Sequence, residues 1–444
     1  MNKKKLIFLA LLGFFVIIII IVAVLMAKNT DKNNKSTTKT EDFTIWILED
    51  SKDDFNVFLD DFKSDTDNQN LIANIETFSN YEEYNMALSS AIVKGQAPDL
   101  YMLNNNEKSI FLENATGLDP EILSPDILRK YFYSFFWDDL IYSSGEKEEK
   151  TEFLVWVPFG FETLWLYFNP DIFRDVKKLK SFPEIENLIE EFHQKKPEST
   201  ALWIGKWLTV SNVANIFIQF LMSEWVNNLE DVNSSNIKKV FTEYFSYNSW
   251  NNGYIKADNI LRKQWKTNVD FFIDWKIAMI FGFPRLLNEI DDKWLWKRKI
   301  RAVIFPDFIN ESNRMVNYNY FVLNKDSKNN DMAYEILKYM FSEKGEKAYL
   351  NNFKYYLPAR ISLYADLKDR EVNENFYVKL KDFYNSEAIY SSFDKWLKPI
   401  FDKEIINLLD DEVNYLKRAW DFISSLKCKT LKVIKLENLS NICE

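Results

Sequence analysis

Histidine is almost absent from this chain: His193 is the only one in 444 residues. It lies in the polar helical stretch Glu190-Glu191-Phe192-His193-Gln194-Lys195. A zinc site or a Ser–His or Cys–His nucleophile pair needs partners this segment does not supply, so His193 reads as a surface residue. Cysteine is nearly as scarce. Cys428 and Cys443 both fall near the C-terminal end, so no disulfide framework or thiolate metal centre organises the body, although one bridge within the tail stays open. Neither a metal nor another cofactor is expected. Positive charge is in deficit, with 56 Lys and Arg against 66 Asp and Glu, a net charge of -10 and a pI near 5.1. A nucleic-acid binder would normally show a basic face, and an anionic ligand is disfavoured on the same ground. Glycine numbers only 9, whereas tryptophan numbers 14.

What is present begins with a membrane signal. After Lys3-Lys4-Lys5, residues Leu6 to Ala27 carry no charged side chain. Such a stretch, as a helix, spans the roughly 30 Å hydrocarbon core of a bilayer. Leu25-Met26-Ala27 is a poor cleavage site. The expectation is an uncleaved single-pass anchor at 6–27, residues 1–5 cytoplasmic and the bulk of the chain extracytoplasmic. Residues 28–42 (KNTDKNNKSTTKTED) have no large apolar side chain and read as a flexible tether.

The body has 47% hydrophobic residues, enough for large cores. Phe43–Leu48 reads as a strand, and Phe55, Phe58, Leu59 and Phe62 recur at helical spacing. A second strand is expected at Leu71–Ile75, a helix through Tyr81, Tyr84, Leu88 and Ile92 that stops at Gly95, and a third strand at Asp99–Leu103. This βαβαβ order calls for a mainly parallel sheet covered by helices, with ligands outside the carboxyl ends of its strands. Further strands are expected at 153–157, 164–168, 300–305 and 318–323, a strand pair within Phe271–Arg285, and helices from Pro170 and from Asp331 to Phe341. The tail from 366 onward has helical periodicity.

Several segments then fall in a familiar order: Phe43 to Leu48, GQAPDLYML (95–103), VPFGFETLWLYFNPDIF (157–173), DWKIAMIFG (274–282), YFVLNKDSKNNDMAYEILKYM (320–340) and YYLPAR (355–360). Together they resemble the family 1 extracellular solute-binding proteins, the maltose-binding-like receptors of ABC importers, over about residues 43 to 425. The resemblance implies an α/β, two-lobed periplasmic-binding-protein fold (type II-like). Lobe 1 would comprise 43–158 plus about 306–352, lobe 2 about 159–305 plus about 353–427, and 428–444 a tail. It also implies a small-molecule solute, most often a carbohydrate, held in the interlobe cleft, an ABC-transporter permease as partner, and no enzymatic step. The alternative on the same fold is a sensor ectodomain or cell-surface interaction protein. Acid pairs such as Asp53-Asp54 and Asp138-Asp139 could imitate glycosidase carboxylates, but adjacent acids in a polar run are usually solvated.

Position nominates the ligand-binding candidates. Glu49 and Asp50 follow the first strand, and Asn104, Asn105 and Asn106 end the third; the plainer reading makes them caps and turns. Glu162 lies at the hinge crossover that the resemblance implies, where a structural hydrogen bond is the competing role. Tyr355 and Tyr356 precede the Leu-Pro-Ala-Arg turn, as stacking rings or as core. Arg285 stands near where relatives place an aromatic platform, which argues against standard sugar stacking there. Trp156, Trp203, Trp207, Trp225 and Trp275 stand where the family pattern favours glycine. Two readings follow: a tryptophan-rich sugar binder, or a host that reads a stop codon as glycine, so that these positions carry glycine. Peptide masses across 156 and 275 separate them.

Overall fold

The computed structural model describes residues 43–48, 52–78, 81–105, 111, 114–145, 150–173, 179, 181–196, 200–204, 210, 212–224, 239–240, 244, 267–293, 300–306, 313–373, 378–379 and 389–391. The expected anchor at Leu6–Ala27, the tether, Cys428 and Cys443 lie outside them. Among the described residues no helix is long and apolar enough to cross a membrane.

In chain order the strands are β1 (Phe43–Leu48), β2 (Ala73–Phe78), β3 (Leu100–Asn104), β4 (Ile141–Ser144), β5 (Thr151–Leu154), β6 (Trp156–Pro158), β7 (Glu162–Thr163) and β8 (Trp165–Phe168). Then follow β9 (Thr200–Trp203), β10 (Ile277–Gly282), β11 (Arg301–Ile304), β12 (Asn313–Asn317), β13 (Asn319–Leu323), β14 (Glu371–Asn373), β15 (Val378–Lys379) and β16 (Ile389–Ser391). The helices used below are α1 (Lys52–Asp65), α2 (Tyr81–Val93), α3 (Pro125–Tyr131), α4 (Trp137–Leu140), α5 (Phe182–Lys195), α6 (Val213–Ser223), α7 (Asn268–Ile273), α8 (Leu286–Lys293), α9 (Asn330–Phe341), α10 (Glu343–Asn352) and α11 (Ile361–Leu367).

Strand β1 buries Phe43, Ile45, Ile47 and Leu48 and pairs in parallel with β2 on one side and β3 on the other. Parallel neighbours require a crossover, supplied here by α1 and α2. Helix α1 buries the expected stripe of Phe55, Phe58, Leu59 and Phe62. The first sheet has the order β2-β1-β3-β13-β6, with β13 antiparallel to both neighbours. The second has the order β11-β8-β10-β9, in which only β9 and β10 run in parallel. A third sheet, β16-β12-β7, includes two strands, β7 and β12, on segments that run from one of these sheets to the other.

Six expectations shift. The strand expected at 153–157 is divided at Val155 between β5 and β6, which lie in different sheets, and the tail expected to be helical from 366 carries strands β14, β15 and β16. The second strand begins at Ala73, because Leu71 N–H bonds to Asn68 O (3.0 Å) in a turn that leaves Ile72 exposed. Pro170 does not start a helix; Asn169 folds 169–173 into a turn by accepting Asp171 N–H (2.8 Å) on its side chain and Phe173 N–H (3.1 Å) on its carbonyl. The helix begins instead at Phe182, where Glu184 reaches back to Ser181 N–H (3.4 Å). Phe271–Ile273 belong to helix α7 rather than a strand, because Thr267 and Asp270 close a capping box (Thr267 N to Asp270 Oδ2, 2.8 Å; Asp270 N to Thr267 Oγ1, 3.4 Å). Strand β12, ahead of Tyr318, was not expected.

The ends of α2 and α7 make a direct comparison. After α2, Gly95 (φ +65°) donates to Ile92 O (3.0 Å) and Gln96 N–H to Ala91 O (2.8 Å). After α7, Trp275 (φ +60°) donates to Phe272 O (3.1 Å) and Lys276 N–H to Phe271 O (2.9 Å). Both are Schellman motifs, and the left-handed residue in such a motif is usually glycine because a Cβ there meets the carbonyl. Trp275 therefore occupies a glycine conformation. Trp156 and Trp203 do not: both are buried strand residues without positive φ, Trp156 stacked on Tyr320 (4.5 Å, 18°). Trp207 and Trp225 lie outside the described residues. Replacing Trp275 by glycine is expected to raise stability by about 1 kcal/mol, read as a higher urea midpoint at unchanged slope.

Candidate functional site

Three stretches of chain, called crossings below, run side by side, the first two of them passing between the two large sheets. The first runs from β6 through Phe159-Gly160-Phe161 into β7. The second runs from β12 through Tyr318 into β13. The third is Tyr355-Tyr356-Leu357. Phe161 and Leu357 exchange both backbone hydrogen bonds (2.9 and 2.7 Å), and Glu162 and Thr163 pair with Asn317 and Val316. Gly160 allows this approach: a Cβ there would lie 2.9 Å from Tyr356 Cβ and 3.0 Å from Leu357 O.

Polar side chains from all three crossings meet in one chain of hydrogen bonds. Glu162, fully buried, accepts from Arg285 Nη2, from Arg285 Nε (3.4 Å) and from Asn317 Nδ2 (3.1 Å). Asn104, at the end of β3, donates through Nδ2 to Asn317 Oδ1 (2.8 Å) and to Asn319 Oδ1 (2.9 Å). Asn319 Nδ2 donates to Tyr356 Oη (3.1 Å). Arg285, between β10 and α8, sets its guanidinium over the Tyr355 ring at 6.0 Å. The path thus runs from Arg285 in the second sheet's lobe to Asn104 and Asn319 in the first.

Burial divides these residues by role. Glu162, Asn104, Asn319 and Tyr356 are buried, whereas Arg285, Asn317 and Tyr355 keep partial exposure. The partly exposed members can be reached from solvent, and the buried ones orient them. A carboxylate can only accept, so Glu162 turns the Asn317 NH2 toward itself and its oxygen toward Asn104. Tyr356 packs its ring edge-on to Phe159 (5.7 Å, 88°) inside the core. The Asn105 side chain bonds to backbone instead, accepting Tyr318 N–H (3.2 Å) and donating to Val316 O (3.4 Å), which fixes the second crossing. Glu49, Asp50 and Asn106 lie outside the described residues.

The sequence reading missed Asn317, Asn319 and Gln219. Buried Gln219 on α6 donates to Asn313 O (2.7 Å) and accepts Met315 N–H (2.7 Å), so one side chain pairs with β12 as a neighbouring strand would. The Asp138–Asp139 pair is not a paired acid site, since Asp138 is exposed and buried Asp139 accepts the Tyr318 hydroxyl. Among the described residues no cluster of metal-ligating side chains is present, and His193 sits half-buried in the last turn of α5.

The third crossing is fixed from its far end. Glu346 on α10, fully buried, accepts Arg360 N–H (2.9 Å), while the Arg360 guanidinium lies 4.6 Å from the Phe132 ring centroid and donates to Phe341 O (2.5 Å). Burial pushes the Glu346 carboxyl up to about 8, offset only in part by Arg360 and the Ala359 N–H. The folded chain therefore holds a proton that the unfolded chain releases from about 4.5 upward. This contribution to stability is complete below about pH 4.5 and is lost as pH rises to about 8. Urea unfolding of Glu346→Gln should show a smaller fall of stability across that window than the parent chain.

A family model for Bacterial extracellular solute-binding protein matches residues 53–347. No curated protein matches the chain. Among solved structures the chain is similar to an ABC substrate-binding protein from Listeria monocytogenes in complex with cycloalternan, at 13% identity and a TM-score of 0.62, covering 89% of this chain and 99% of that one. It is also similar to the GacH receptor of Streptomyces glaucescens, solved unliganded and in complex with acarbose and an acarbose homolog, at 15% identity and a TM-score of 0.61, covering 88% and 98%. At these identities the likeness speaks to the fold, which is two-lobed and α/β. With its two large sheets joined through β7 and β12 and the family match over residues 53–347, the chain belongs to the bacterial extracellular solute-binding proteins.

Proposed function

We propose that the chain captures a carbohydrate between its lobes and delivers it to the permease of an ABC importer, held at the cell surface by a helix over Leu6–Ala27. The observation that carries this reading is the hydrogen-bonded path Arg285–Glu162–Asn317–Asn104–Asn319–Tyr356, which joins both lobes through the crossings. A saccharide presents many hydroxyls that each donate and accept, and a guanidinium and carboxamides held at fixed orientation suit them. A ligand touching Arg285 from one lobe and Asn317 from the crossing has more contacts when the lobes close, and that difference drives closure. The two similar proteins, in complex with cycloalternan and with acarbose, support the ligand class. We take lobe 1 as 43–158 with about 306–352 and lobe 2 as about 159–305 with about 353–427, in a type II-like arrangement. Tethering would keep the receptor at high effective concentration near its permease. A thermal-shift screen of the full-length chain against sugars, polyols and peptides tests the proposal. It predicts a raised melting temperature with an oligosaccharide; a shift confined to peptides or other solutes contradicts it.

A further inference from the structure

An arginine in a ligand cleft ordinarily favours anions, because its fork of N–H donors matches a carboxylate with two parallel bonds. Here that fork is already engaged by the protein. Arg285 directs Nη2 to Glu162 Oε1 and Nε to Oε2 (3.4 Å), so both carboxylate oxygens face the guanidinium. The Glu162 side chain is 0% exposed and the Arg285 side chain 24% exposed. The negative partner is thus the inner one, held also by the Asn317 carboxamide (3.1 Å) and fixed in strand β7 by backbone pairing. It has no path to solvent that would release Arg285 to an incoming anion.

We propose, resting on the carbohydrate reading above, that Glu162 sets the charge specificity of the cleft: paired with Arg285 it admits uncharged saccharides and rejects saccharides that carry a carboxylate. A uronate approaching Arg285 would share one guanidinium with a second, immobile carboxylate, and two anions on one cation in a partly desolvated site repel. A neutral hydroxyl meets no such penalty, since it accepts from the guanidinium without bringing a second negative charge. Specificity of this kind comes from a repulsive element built against the wrong ligand rather than from an added contact to the right one. The acidic surface, with a net charge of -10, acts in the same direction at longer range.

The test compares binding of galactotriose and maltotriose with binding of trigalacturonate and triglucuronate, by calorimetry on the full-length chain and on Glu162→Gln. Glutamine keeps the shape of residue 162 and one acceptor for Arg285 while removing the charge. The parent chain should bind its preferred neutral trisaccharide at least 10-fold more tightly than either uronate. Glu162→Gln should shift the neutral-to-uronate affinity ratio at least 10-fold toward the uronate, with the gain shrinking at high salt. A folded Glu162→Gln chain with an unchanged ratio overturns the proposal while leaving carbohydrate binding intact. Should the variant not fold, the parent ratio still decides: uronate binding as tight as neutral binding overturns the proposal. Failure of the parent to bind any of the four saccharides counts against the carbohydrate reading and against this proposal with it.

Discussion

Arg285→Ala is expected to destabilise the chain by about 3–5 kcal/mol and to weaken saccharide binding about 100-fold or more. The two effects have separate causes. Stability falls because Glu162, 0% exposed in the intact pair, loses the guanidinium that faces both of its oxygens. A charge left buried without its partner costs more than the pair contributed. Binding falls because, on the proposed reading, Arg285, the partly exposed cation of the path, is the second lobe's contact to the ligand. Urea unfolding reads the first effect and calorimetry the second. The double variant Glu162→Gln/Arg285→Ala distinguishes them: with no charge left to bury it should recover part of the stability, but not the affinity. Arg285→Lys should restore little of either, since an ammonium lacks the fork that meets both oxygens of Glu162.

Asp99→Ala should cost about 3 kcal/mol without contacting any ligand. Asp99 Oδ2 accepts Thr44 N–H (2.8 Å) and the Thr44 hydroxyl (3.0 Å), and Oδ1 accepts the Ser327 hydroxyl (2.6 Å) and Asn329 Nδ2 (3.2 Å). One side chain therefore fastens the start of β1, the start of β3 and the loop between β13 and α9. Hydrogen bonds to an ionised acceptor are the stronger kind, and alanine would leave a backbone N–H and three side-chain donors without it. Asp99→Asn, which keeps part of the acceptor set, should lose roughly half as much. Saccharide affinity, measured where both proteins remain folded, should match the parent; a selective loss of affinity would make Asp99 a ligand residue instead.

Asp99 also shows what the sequence reveals about this fold. The segment GQAPDLYML is readable as a glycine stop, a turn and a strand because each is a local preference, and the structure bears out the strand over Leu100–Asn104 and the stop at Gly95. Why aspartate precedes that strand is not local: its partners lie 55, 228 and 230 residues away. The same limit hid part of the candidate site. Glu162 and Arg285 were nominated through the family resemblance and Asn104 through its place at a strand end, and the structure joins the three in one hydrogen-bonded path. Asn317 and Asn319 were missed in the stretch MVNYNYFVL because the strand expected at 318–323 takes in Asn319 as a strand residue and none was expected before Tyr318. The signal was the pair of carboxamides two apart, and only the change of sheet at Tyr318 shows that both reach Asn104. Trp275 was singled out through the family pattern alone, since no helix was expected before it; the end of α7 at Ile273 is what gives it positive φ.

The most direct test of the account is a crystal structure of the chain with the oligosaccharide that raises its melting temperature most. The account predicts sugar hydroxyl oxygens within about 3.2 Å of the Arg285 guanidinium and the Asn317 carboxamide, between the two sheets and beside the three crossings. A saccharide bound elsewhere, or bound between the lobes without touching either side chain, would contradict it.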